Sequence, residues 1–302
     1  MAPQLQVSRG YQPEARAETM RYVFYGFQMT GLLGAVVMLF TAAVWRKIVP
    51  RHPSWFNFMI TWIISCSSYI FLVGVPSGKN PSHALCLAQA ALVYSVPSLT
   101  AGATISLVIH VYMTLRSMLS GVLYRTWWTI ALVIGPYVPA WVVLMVSLHI
   151  GLREPDSVRR SAENMYCNLK PNLPERLSAA LVAAIMLIGL AVELIIFRNL
   201  WRAWGTLKRD DRNSASRVVR VLAFTIVGML TIILSLIFCA LPKHGAAFDL
   251  TISILPLSSV LIFGTQKDII TAWGSICRRR THGEDTWETF TPVGTRLTVT
   301  EE

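Results

Sequence analysis

The residues of this 302-residue chain that could do chemistry are few and widely separated. Glu193 is a carboxylate inside a long apolar run, and an ionisable group in hydrocarbon is costly enough to be a functional candidate by default. His110 and Arg116, near the end of another apolar run, are its candidate partners. The alternatives for Glu193 are snorkelling to the interface or a neutral, protonated carboxyl. Cys86 and Cys167 are a candidate disulfide, with two free thiols as the alternative. Cys277, just ahead of Arg278, Arg279 and Arg280, is a candidate acylation site. A retinal-type Schiff base would need a lysine in the middle of the last apolar run, but Lys243 and Lys267 flank it. Zinc chemistry needs converging ligands, and His52, His83, His110, His149, His244 and His282 show no metal-site spacing. No catalytic residue, metal or cofactor is assigned.

The elements that position these residues are membrane spans. Hydrophobic residues make up 54% of the chain and charged ones 14%, against roughly 25% charge in a soluble domain. A helix needs about 20 mostly apolar residues to cross a hydrocarbon core. Seven stretches qualify: 22–45, 55–75, 85–115, 127–150, 177–201, 218–241 and 246–265. Period-2 alternation is absent, so barrel strands are excluded. The expected fold is all-α, a seven-transmembrane-helix bundle with a short amphipathic helix after the last span.

Charge placement sets the expected sidedness. Of 27 Lys and Arg residues, 17 lie in the segments after spans 1, 3, 5 and 7 or at the span ends that border them, including Arg46, Lys47, Arg51, Arg116, Arg125 and Arg278 to Arg280. Excess Lys and Arg marks the cytosolic side, which puts the N-terminus outside and the C-terminal tail inside. The net charge of +11 thus reflects topology and not nucleic-acid binding. The organisation expected is an extracellular tail at 1–21, a membrane domain at 22–265, a membrane-surface helix with a basic patch at 266–280, and a disordered, threonine-rich tail at 281–302. No apolar h-region precedes the first span, so no cleaved signal peptide is expected.

On that topology Cys86 and Cys167 both face the oxidising exterior, and bridging them would pin the second external loop over the mouth of the bundle. A small-molecule site would open there between helices. Span 3 offers Gln89, Tyr94, Ser95 and Ser98, span 2 offers Tyr69, and span 4 offers Trp141. For each, packing between helices is the competing role. Pro97, Pro136, Pro139 and Pro256 fall inside spans and predict kinks.

Seven spans, the span-3 cysteine with its external-loop partner, a basic third internal loop and the helix after span 7 together resemble the G-protein-coupled receptors. The stretches Cys86-Leu-Ala-Gln-Ala-Ala-Leu-Val-Tyr94 and Phe263-Gly-Thr-Gln-Lys-Asp-Ile-Ile270 are similar to the receptor-like seven-helix proteins of mushroom-forming fungi. The resemblance implies an extracellular small-molecule ligand, a plasma-membrane location and a heterotrimeric G protein as cytosolic partner. The rhodopsin-like signatures are not present: His110-Val-Tyr112-Met-Thr-Leu-Arg116 stands where Asp-Arg-Tyr would be. A secondary transporter of a small solute, using Glu193 in a proton-coupled pathway, is the alternative.

Overall fold

The computed structural model describes residues 8–46, 49–75, 81–120, 124–161, 165–207, 246–266 and 268–274. Its helices are α1 (Ser8–Val44), α2 (Pro53–Ile70), α3 (His83–Ser120), α4 (Thr126–Ile134), α5 (Tyr137–Arg153), α6 (Leu173–Leu207) and α7 (Ala246–Gly264). Between α5 and α6 a short antiparallel hairpin pairs β1 (Val158–Arg160) with β2 (Cys167–Leu169), in the register Val158 to Leu169 and Arg160 to Cys167.

Among the described residues, four helical segments are long and apolar enough to cross a membrane: Glu18–Val44, His83–Ser117, Thr126–Arg153 and Leu173–Asn199. A fifth is added if Leu250–Gly264 and Asp268–Gly274, bent by 74°, count as one. The chain is therefore an α-helical bundle with membrane-spanning character. The expected span 218–241 lies outside the described residues. Leu33, Phe40, Val138, Leu187, Ile188 and Leu194 are all more than half exposed. That much outward apolar surface would be an aggregation liability in water and is the normal condition in lipid.

Helix α3 is the hub, packing against α2, α5, α6 and the hairpin, while α1 packs against α2 and α7. The 18 residues of α2 are the enclosed member: Trp55, Phe58, Met59, Thr61, Ser65 and Cys66 are buried. Two close approaches depend on missing side chains. A Cβ on Gly102 of α3 would stand 2.9 Å from Pro136 Cα, and one on Gly31 of α1 would stand 2.7 Å from Pro256 Cβ.

The sequence expectations and the structure differ in three places. The expected span 55–75 forms α2, Pro53–Ile70, which is not among the described helices long and apolar enough to cross a membrane. Helix α1 begins at Ser8, so part of the expected tail 1–21 continues the first span as helix. Glu14, Ala15, Arg16, Ala17 and Glu18 are polar or small but good helix formers, and hydropathy does not register that propensity. The expected kinks also separate. The fourth span breaks into α4 and α5 at Gly135–Pro136, whereas α3 and α7 run continuously through Pro97 and Pro256.

The break at Pro136 is held by α2. A proline cannot donate to the carbonyl one turn back, and its ring crowds the preceding turn, so carbonyls before it lose helical partners. Asn57 Nδ2 donates to Val133 O at 3.0 Å, and Tyr137 Oη donates to Asn57 Oδ1 at 2.8 Å. One amide thus clasps both sides of the break. Asn57→Leu removes both bonds, and interhelical hydrogen bonds in membranes contribute about 0.6 kcal/mol on average, up to about 1.7. The expected loss is about 1–2 kcal/mol, read as a lower melting temperature in detergent. An additive double-mutant cycle with Tyr137→Phe would mean that the clasp is not a coupled unit.

Candidate functional site

Two polar constellations occupy opposite ends of the bundle, termed here the hairpin end and the loop end, the latter carrying the α1–α2 connection.

At the hairpin end, Cys86 near the start of α3 is bonded to Cys167 in β2, with Cα atoms 5.3 Å apart. Side chains around the disulfide extend its grip. Gln89, fully buried, donates from Nε2 to Ser68 O at 3.1 Å and Tyr69 O at 3.4 Å, and accepts the Cys167 N–H on Oε1 at 3.1 Å. Ser68 and Tyr69 belong to the last turn of α2, whose carbonyls have no intrahelical donor. Gln89 therefore closes the end of one helix and hangs a strand from another. Tyr94 Oη accepts the Leu169 N–H at 3.2 Å. Tyr25 of α1 donates to Met165 O at 2.7 Å, and Arg160 donates to Val75 O at 3.2 Å.

The residues leading into β2 are packed as well as bonded. Met165 is buried with Phe24, Tyr69 and Val93. Tyr69 meets Phe24 and Tyr166 edge-on, with ring centroids 5.7 and 5.9 Å away. The loop is thus a plug seated among α1, α2 and α3.

The residues expected to line a pocket fall into three groups. Gln89 and Tyr94 hold the plug, and Tyr69 packs beneath it. Ser95 and Ser98 donate to carbonyls of their own helix, Leu92 O and Ser95 O. Trp141, 54% exposed, lies on the outer surface of the bundle. A polar group that sequence reasoning missed is Gln28 of α1, 1% exposed, whose Oε1 has no hydrogen-bond partner. A glutamine inside an apolar run was the available signal.

At the loop end, Arg51 forms an ion pair with Asp268 at 2.6 Å, donates to Gln266 Oε1, and lies over the Trp55 ring at 5.4 Å. Trp273 Nε1 donates to Thr41 Oγ1 at 3.1 Å. The segment after α7 is in this way tied to α1 and to the α1–α2 connection. Sequence reading used Arg51 only to orient the chain, and nothing in the sequence links it to Asp268.

Beside this tie, His52 and His110 stack with ring centroids 3.6 Å apart. Histidine spacing along the chain gave no sign of the encounter, because α2 and α3 run in opposite directions and bring distant positions level. Among the described residues no group of three or more His, Cys, Asp or Glu could hold a metal.

Glu193 is 7% exposed and lines a water-sized cleft with Thr104, Ile105 and Val108 of α3 and Met186, Gly189 and Leu190 of α6. Of its expected partners, His110 faces His52 and Arg116 is exposed near the end of α3. Cys277 and the basic patch Arg278 to Arg280 lie outside the described residues.

No family model matches the chain, and no curated protein matches it.

Proposed function

We propose that the chain is a seven-span, G-protein-coupled-receptor-like protein of the plasma membrane. In this reading the hairpin end faces outward, the loop end faces the cytosol, and an extracellular small molecule acts through the bundle on a heterotrimeric G protein. The observation that carries the reading is the plug. A disulfide and side chains from three helices fix one loop across one mouth of the bundle, as suits a ligand entry site closed to water and open to selection. The opposite end supports it with a polar cluster built from Arg51, Asp268, His52 and His110. The bundle between them would be the two-state element that a ligand biases.

Recruitment of nucleotide-free Gα to the purified chain in lipid nanodiscs, across extracts from the host's surroundings, tests the reading. Ligand-dependent recruitment by folded protein is the expected result. Its consistent failure, together with solute uptake into proteoliposomes, favours a transporter built around Glu193, whose burial beside a cleft is what such a pathway needs. In that case Glu193→Gln should abolish proton-coupled uptake while leaving membrane insertion intact.

A further inference from the structure

Three helices meet on one pair of rings at the loop end. His52 precedes α2 as its N-cap residue, and His110 of α3 lies face to face with it, planes 11° from parallel. Both nitrogens of His52 are engaged. Nδ1 accepts the Ser54 N–H at 3.3 Å and lies 2.7 Å from Ser54 Oγ. Nε2 lies 3.4 Å from Thr129 Oγ1 of α4. An Nδ1 that accepts a backbone N–H carries no proton, so the neutral ring has its proton on Nε2, toward Thr129.

A second proton on His52 would undo this arrangement in three ways. It would land on Nδ1 and set N–H against N–H at the helix cap. It would put a cation at a helix N-terminus, where the backbone dipole is already positive. It would also charge a ring stacked on another imidazole, so that protonation of both would place like charges in contact.

The neighbours offer no counter-charge. Ser54 of α2 and Thr129 of α4 are hydroxyls. Arg51 turns to Asp268, Arg46 lies over the Phe56 ring, and Arg116 and Arg125 are exposed. Among the described residues no carboxylate acts on either ring.

We propose that the His52–His110 stack is a pH-sensitive latch that holds α2, α3 and α4 together while both rings are neutral and opens when acidification protonates His52. Burial holds His52 below the ordinary histidine value of 6.5. The closed form therefore binds the proton more weakly than the open form. The latch is fully in place above about pH 6.5 and is lost as the pH falls below it. The inference does not depend on the receptor reading.

The test is histidine-selective NMR on the full chain in nanodiscs between pH 8 and pH 4.5, paired with melting temperatures over the same range. His52 should take up its proton more weakly than a solvated imidazole, because burial disfavours its charged form. His110→Phe keeps a stacking face that cannot charge, so burial should still hold His52 low while the loss of ring–ring repulsion lessens the acid-side fall in melting temperature. A His52 that titrates as a free imidazole in the wild type overturns the latch, as does an acid-side fall unchanged in His110→Phe. If that variant does not fold, the wild-type titration of His52 decides alone.

Discussion

Replacing Cys86 and Cys167 together by serine will lower stability by about 2–4 kcal/mol and free the hairpin from the bundle mouth. The bridge joins positions 81 residues apart, for which the chain-entropy relation gives about 4 kcal/mol. That figure is an upper bound in a bilayer, since helices that persist in the membrane already restrict the denatured chain. Melting temperature in detergent, with and without reductant, gives the size of the effect. Limited proteolysis within 158–169 shows whether the hairpin is released. Equal melting temperatures and equal protease resistance would mean that Gln89, Tyr94 and Tyr25 hold the plug without the covalent bond. In the receptor reading the same double variant should also lose ligand-dependent Gα recruitment, because the plug shapes the entry.

Gly102→Leu should cost about 3 kcal/mol and drive the fourth span away from α3. The Cβ alone would stand 2.9 Å from Pro136 Cα and 3.1 Å from Pro136 Cβ. Both belong to a rigid ring and its backbone, so no rotamer change relieves the contact. Overpacking a tight site costs about 1–3 kcal/mol, and an immovable neighbour places this one at the upper end. The variant should express poorly and melt early, and the Asn57 clasp should fail with it, since Val133 and Tyr137 move with Pro136. Gly102→Ala, one methyl group rather than four heavy atoms, should show a smaller loss in the same assay. Wild-type melting of Gly102→Leu would show that α3 and the fourth span are not packed at this point.

The apolar runs were legible because hydropathy is a local property. Four of the expected spans coincide with helices long and apolar enough to cross a bilayer, and the last span forms α7, part of the bent segment. The break at Pro136 was legible as one of several prolines, but its selection was not. Pro136 follows Gly135, meets Gly102 and has Asn57 bonded to residues on both sides of it, whereas Pro97 and Pro256 sit within helices that continue.

The candidate site was legible in composition and not in role. Gln89 and Tyr94 stood out as polar groups near Cys86, yet each holds the hairpin through a backbone N–H of β2. A sequence shows that a glutamine is present in a span; it does not show which backbone group comes within 3 Å of it. The Arg51–Asp268 pair and the His52–His110 stack are of the same kind, each joining segments far apart in the chain.

The sequence by itself determined an α-helical chain with membrane-spanning segments and the cysteines available for a bridge. These follow from the cost of exposing backbone polar groups to lipid, which acts on every stretch of about 20 residues independently. Only the tertiary structure decided that Cys86 meets Cys167, that Asn57 clasps the fourth span, and that His52 faces His110. Hydrogen bonds and ring contacts act over a few ångströms, and it is helix packing that brings distant positions of the chain within that range.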